Sequence, residues 1–423
     1  MMIEKFITYV ARKKNVSYLQ FSPSATLSVP QKVNDSPTLL YVHIPFCEEL
    51  CPYCSFNRVV FREDLARSYF EALRKEILMY RDRGYDFQGL YVGGGTPTVL
   101  VDELVLTLQL IRQTYHVTEI SVETNPNHLT DRNLRLLKDA GVNRLSVGVQ
   151  TFDDNLLKIV ERYHKYGSGQ EISERLRSTQ GIFDTLNVDM IFNFPTQTLE
   201  ILEKDLATLV AIKADQVTYY PLMVSSSTQD VMSRKLGVVD YNRGGTYYSK
   251  IVRMLSREYR PTTAWCFSRT AAPIDEYVVN YDEYAGLGSG SIGYLGGSAY
   301  SNTFDIRDYI SRINRGVLPI TAKRDFSLQE RLRYDFLMKL FGLELDLAHL
   351  SAKHDTGAYG HLWPEITFFR LIGGLSKKGK VLRLTETGQY YWVLMMREFF
   401  IGVNNFRDYC RAELPKEPAT FRK

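Results

Sequence analysis

The chain has 423 residues, 44% hydrophobic and 24% charged, which suits a folded protein with one large unit and a smaller one. A net charge of +4 without a long Lys/Arg block does not point to nucleic acid, and no run of about eighteen apolar residues is present to span a membrane. Five cysteines are odd in number and too few for a disulfide scaffold of this size, so a reducing, cytoplasmic compartment is expected, with the thiols as ligands or buried groups.

The N-terminal stretch MMIEKFITYVARKKNVSY mixes charge into a short apolar run and lacks a small-residue cleavage site, so no secretory signal is expected. The first strand, LLYVHIPF (39–46), leads directly into Cys47-x3-Cys51-x2-Cys54. A structural zinc site takes a fourth Cys or His, often from a second paired knuckle, and no second CxxC exists. Cys266 and Cys410 stand alone among aromatic residues. His43 is a candidate zinc ligand, but in an apolar strand it reads better as a satisfied core histidine. Three thiolates suit a four-iron, four-sulfur cluster whose fourth iron stays open. An open iron can take a small chelating molecule such as S-adenosylmethionine.

The rest of the first half alternates strand and helix. Residues 62–84 carry Leu65, Tyr69, Phe70, Leu73 and Ile77 at helical spacing, and 101–115, 129–141 and 198–212 read as further helices. Thr130 and Asp131 offer N-cap chemistry, while Gly84 and Gly141 sit where helix C-terminal glycines belong. Strands are predicted at 89–95, 119–124, 144–150, 185–194 and 216–223. Six strand–helix units in series predict a parallel sheet, whose chemistry belongs at the C-terminal strand ends. Those ends carry the cysteine loop, GGGTPT, ETNP, GVQTF and FNFPTQT, a recurrence that implies one shared site. Two further units would be needed to close an eight-fold barrel, so a partial barrel open on one side is expected, able to admit a large substrate.

Gly93–Gly95 can serve a tight turn, but three consecutive glycines exceed what a turn needs, so close approach of the backbone to a ligand is favoured. Glu123 is either a helix cap or a carboxylate for ribose hydroxyls or an ammonium, and Gln150 and Asp189 present similar polar strand ends. Arg162 is either a surface residue or a fork for a cofactor carboxylate, and spacing leaves both open. Of Tyr219 and Tyr220, alternation puts one in the core and leaves the other to wall a site. Cys266 is expected to be a buried thiol.

The ordered set YVHIPFCxxxCxYC, GGGTPT, ETNP, NRLSVGVQTF, VDMIFNFPTQT and YYPL, across residues 39–225, resembles the radical S-adenosylmethionine branch of oxygen-independent coproporphyrinogen III oxidase. The resemblance implies an α/β fold, a partial (β/α)6 radical SAM barrel with a smaller C-terminal helical or winged-helix-like domain. It implies that Cys47, Cys51 and Cys54 hold a catalytic [4Fe-4S] cluster. It places Tyr41, Tyr53, Gly94, Gly95, Thr96, Glu123, Gln150, Arg162 and Asp189 near one or two S-adenosylmethionine molecules. The implied chemistry is one-electron cleavage of that cofactor to a deoxyadenosyl radical. Its partners would be a tetrapyrrole or similar conjugated substrate and an electron donor such as a flavodoxin or ferredoxin, and no nucleic acid.

Weaker similarity continues through DEYAGLGSGSIGYL (282–295), a Gly-rich segment, and VLRLTETGQYYWVLMM (381–396), a winged-helix-like tail. The helix after Gly388 is apolar and aromatic, so a lid or core wall is expected rather than a DNA reader. Within it Arg397 or Arg407 is a candidate for porphyrin propionates. Four units are expected: 1–38, an N-terminal extension; 39–225, the barrel; 226–325, its extension; and 326–423, the C-terminal domain. Ser55-Phe56 stands where the decarboxylating enzymes carry another cysteine, and 272–284 lacks the histidine of the heme chaperones. Oxidative decarboxylation, radical methyl transfer with heme ring opening, methyl transfer to a non-porphyrin, and non-enzymatic heme trafficking are the activities the resemblance leaves open.

Overall fold

Runs of Val, Ile, Leu and Tyr bounded by glycine and proline form the strands of a computed structural model that describes residues 2–23, 29, 37–270 and 277–412. Part of the N-terminal extension (24–28, 30–36), the start of the 272–284 segment and the tail 413–423 lie outside these residues. The six expected strands are β1 Thr38–Ile44, β2 Gly89–Gly94, β3 Glu119–Thr124, β4 Arg144–Gln150, β5 Thr185–Phe192 and β6 Gln216–Pro221, each within two residues of its predicted bounds. They pair in that order and all in parallel. Every residue of β1 is buried, as a strand covered on both faces requires.

Four helices fall where the 3.6-residue period puts them, α2 Glu63–Arg81, α3 Val101–Thr114, α4 Asp131–Asp139 and α6 Leu199–Ile212; α1 Met2–Tyr18 precedes them, and α5 Gly169–Thr179, which the sequence pattern had not indicated, lies between α4 and α6. Thr130 caps α4 by accepting the Asn133 N–H, and the chain leaves α2 and α4 through Gly84 (φ 79°) and Gly141 (φ 91°).

The sheet is larger than the six-unit pattern indicated. After α7 Ser226–Leu236, β7 Cys266–Ser268 runs antiparallel on β6 at one edge. At the other edge β8 Glu283–Leu287 lies parallel to β1, continued antiparallel by β9 Ile292–Leu295, β10 Ser298–Asn302 and β11 Ile320–Asp325. The Gly-rich segment is thus a hairpin built onto the barrel strand that carries the cysteines. Ser22–Pro23 and Arg260–Pro261 complete a thirteen-stranded sheet among the described residues, open at both ends. The C-terminal part combines α8 Leu328–Phe341, a three-stranded sheet of Glu344–Asp346, Val381–Leu384 and Leu375–Lys378, and α9 Glu386–Ala412. α9 buries Trp392 and Met396 and packs on α1, β6 and α7, covering the open side.

Candidate functional site

The chain leaves β1 at Ile44 and places its three cysteines on the loop that follows, at the C-terminal ends of the strands. Cys51 is buried, and Cys47 and Cys54 are half-buried. Burial first, and then the neighbouring Cys54 thiol, push the Cys47 thiol up to about 11. Cations gather around these sulfurs: Arg162 Nη1 is 3.6 Å and Lys165 Nζ 3.8 Å from Cys51 Sγ. Fixed cations there can offset the negative charge that thiolate ligands bring to a bound metal group. Among the described residues no three His, Cys, Asp or Glu side chains converge as ligands of a single metal ion. A four-iron cluster takes one sulfur per iron, so its three thiolates need not meet at one atom. The donor set therefore fits a cluster better than zinc.

The loop backbone is held by its carbonyls. Arg58 Nη2 donates to Cys51 O and Cys54 O, both at 2.6 Å. Arg411 Nη1, from the last turn of α9, donates to Ser55 O (2.9 Å) and Phe56 O (2.7 Å). His43 Nε2 lies 2.7 Å from Asn57 O; a carbonyl only accepts, so Nε2 carries the hydrogen. Nδ1 is then the acceptor for the Tyr41 hydroxyl at 2.9 Å. Burial holds the imidazole neutral, its pKa lowered to about 4. His43 is thus the satisfied core histidine its strand position suggested, with Tyr41 and Asn57 as its partners. Asn57 in turn reaches the Gly-rich hairpin, donating to Ser289 O at 3.2 Å.

The strand ends add a polar wall. Glu123, the penultimate residue of β3, accepts from the Tyr91 hydroxyl (2.8 Å) and the Gly94 N–H (3.1 Å). Burial, then the Asp189 carboxylate, push its pKa up to about 7. Asp189 accepts from Ser146 Oγ (2.6 Å) and Asn187 Nδ2 (2.8 Å), and burial raises its pKa too. Thr96 Oγ1 faces Cys47 Sγ at 3.6 Å and accepts from Asn125 Nδ2 at 2.8 Å. Gln150 ends β4 at φ 78°, a left-handed conformation uncommon outside glycine, and its Oε1 accepts from the Tyr220 hydroxyl at 3.2 Å. Arg162 is buried rather than on the surface, donating to the Tyr53 hydroxyl at 3.0 Å with its charge over the Tyr166 ring.

The glycine run differs from expectation in its physical reason. A Cβ on Gly93 would meet the Glu123 carboxyl at 2.8 Å, on Gly94 the His43 ring at 2.6 Å, and on Gly95 the Phe46 carbonyl at 2.6 Å. The space on the Cβ side of each glycine is filled by the protein's own groups, while Gly94 and Gly95 still line the cavity. The Gly95 and Thr96 N–H groups likewise bond Ile44 O and Phe46 O.

All twelve expected residues, from Tyr41 to Asp189, line one cavity of ≈ 340 Å³. That size falls in the usual range for small-molecule sites. Aromatic rings also line it: Tyr220, Trp265, Tyr284, Tyr334, Phe399 and Phe400. Tyr219 is fully buried, so alternation sorted the pair correctly. Cys266 is buried, its sulfur 3.7 Å from the Thr218 hydroxyl. Arg407 lines the cavity with its guanidinium 4.5 Å from the Phe56 ring centroid, whereas Arg397 pairs with Glu398 over Tyr241 and is withdrawn from the site. Sequence reasoning passed over Tyr91, Asn125 and Arg58. Asn125 sits inside the quoted ETNP motif, and only the strand-end pattern pointed to it.

Comparison with known proteins accords with this geometry. Residues 41–209 match the family model of the radical SAM superfamily. The chain is 28% identical to heme chaperone HemW of Bacillus subtilis over 354 residues, 81% of this chain and 92% of the relative. It is 30% identical to HemW of Lactococcus lactis over 298 residues, 67% and 78% respectively. Oxygen-independent coproporphyrinogen III oxidase of Pseudomonas aeruginosa is 26% identical over 391 residues, 84% of this chain and 83% of the relative. The solved structure of coproporphyrinogen III oxidase (HemN) from Escherichia coli superposes with a TM-score of 0.71 at 21% identity, over 92% of this chain and 97% of that one, which establishes a shared fold. The superfamily works with a [4Fe-4S] cluster and S-adenosylmethionine, and the cysteine loop and polar strand ends described above fit both groups. The chain therefore belongs to the radical SAM family that includes heme chaperone HemW and oxygen-independent coproporphyrinogen III oxidase, a family linked to heme and porphyrin metabolism.

Proposed function

We propose that the chain is an enzyme that modifies a tetrapyrrole in anaerobic porphyrin or heme metabolism. One observation carries this reading: cluster-type cysteines, buried polar strand-end groups and several aromatic rings line a single cavity. When bound, the cluster and S-adenosylmethionine together supply a deoxyadenosyl radical that can abstract a hydrogen atom.

The protein's own groups bind and orient. Cys47, Cys51 and Cys54 are the cluster ligands. An ammonium donates hydrogen bonds, so in the Gly94–Thr96 turn only carbonyl oxygens suit it, and the internal use of the N–H groups there costs nothing. Glu123 and Asp189 are the acceptors for ribose hydroxyls or the ammonium, and Arg162 is the cation for the carboxylate. Tyr41 and Tyr53 border the adenosyl region. Tyr220, Trp265, Tyr284 and Tyr334 take the flat substrate and exclude water from the reacting atoms.

The test is an anaerobic incubation of iron-reconstituted protein with reductant, S-adenosylmethionine and either heme or coproporphyrinogen III, followed by mass spectrometry. Deoxyadenosine that rises only with a tetrapyrrole, together with a shifted tetrapyrrole mass, is expected, and the mass names the reaction. Cofactor cleavage indifferent to both tetrapyrroles would falsify the assignment.

A further inference from the structure

Arg58 lies four residues past Cys54 and belongs to none of the strand-end motifs. Its side chain folds back onto the cysteine loop, and one nitrogen, Nη2, spans the carbonyls of two cysteines at 2.6 Å each. The rest of the guanidinium is buried, and among the described residues Nε and Nη1 have no hydrogen-bond partner. A buried charged donor without an acceptor is costly, and it persists where a bound group supplies the acceptor. Arg58 lines the same cavity as Cys47, Cys51 and Cys54.

We propose that Arg58 is a positioning residue that tunes the cluster, fixing the Cys51–Cys54 turn with Nη2 and directing Nε–H and Nη1–H to cluster sulfur. This rests on the cofactor reading above. Reduction adds one negative charge to the cluster, and a fixed cation with N–H···S bonds stabilises the reduced form more than the oxidised one. Arg58 therefore raises the reduction potential and eases electron entry from a low-potential donor. Its two carbonyl bonds add a second effect: the spacing of two ligand-bearing residues is set before any iron binds.

The experiment is a mediated anaerobic redox titration, read by electron paramagnetic resonance, of reconstituted wild type, Arg58→Met and Arg58→Lys, with iron and sulfide content measured on each. Met keeps the apolar stem and removes charge and donors; Lys keeps the charge. The expected result is a reduced-to-oxidised ratio at least tenfold smaller in Arg58→Met at a fixed ambient potential, equivalent to a midpoint about 59 mV lower for one electron, with Arg58→Lys in between. A loss of packing alone would leave the midpoint where it was. If Arg58→Met does not retain iron, Arg58→Gln, uncharged but still able to bond a carbonyl, is titrated in its place. A wild-type midpoint in the titrated variant overturns the proposal while the cofactor reading stands. A wild-type protein that assembles no four-iron cluster overturns both.

Discussion

Glu123 is a carboxyl that the folded protein prefers neutral, since burial and Asp189 outweigh the pull of Tyr91, Gly94 and Arg144. With a folded pKa of about 7 against 4.5, its contribution to stability is full below 4.5 and lost as pH rises through 7. A ligand that pairs with the carboxylate must recover that loss, so it binds better once the group is ionised. In the proposed role, S-adenosylmethionine affinity rises by up to about tenfold between pH 6 and 8. Glu123→Gln flattens the rise in a calorimetric titration, and an undiminished rise in that variant would assign the pH effect elsewhere. Gly94 gives a residue-scale test of the fold. Its φ of 116° and the His43 ring 2.6 Å from a built Cβ make Gly94→Ala both strained and overpacked. A loss of about 2–4 kcal/mol is expected from denaturant unfolding, and an unchanged midpoint would mean that neither the backbone angle nor the His43 contact constrains this position.

At the scale of elements, α9 is the strap that joins the C-terminal part to the cysteine loop. Asn405 accepts from Ser226 N at 2.8 Å and Asp408 from Ser227 N at 3.1 Å, so one face of α9 holds the start of α7. One turn on, Arg411 grips Ser55 and Phe56. Arg411→Ala should leave the barrel folded but free this stretch of the loop, with iron released to a chelator several-fold faster than from wild type; equal release rates would show that Arg58 and His43 suffice. Arg407, on the same helix, adds a cation to the cavity lining. A hydrogen bond to a charged group is worth about 1.5–3 kcal/mol, so Arg407→Gln should weaken a carboxylate-bearing porphyrin by roughly tenfold or more. The methyl ester of the same porphyrin should bind both proteins alike, and equal loss for acid and ester would point to packing rather than charge.

For the molecule as a whole, the open barrel, the hairpin at its β1 edge and α9 together line one cavity. Replacing one cysteine of that lining leaves its aromatic residues in place. Cys51→Ala should abolish deoxyadenosine formation in a chromatographic assay while keeping the wild-type far-ultraviolet spectrum and porphyrin affinity; retained cleavage would remove Cys51 from the cluster ligands. The sequence by itself determined the six parallel strands, their helices and the strand-end groups, because period-two and 3.6-residue patterns, caps and turn glycines act over a few residues. It also carried the cysteine spacing and the ordered motifs of the family. Only the tertiary structure decided that β8 extends the sheet beside β1, that the glycine run makes room for His43 and Glu123, and that Arg58, Arg407 and Arg411 meet the cysteine loop while Arg397 does not. Those outcomes depend on pairings such as Arg411 with Ser55, 356 residues apart. No local pattern records such a contact, because its closure entropy is met by the packing of the whole chain rather than by its neighbours in sequence.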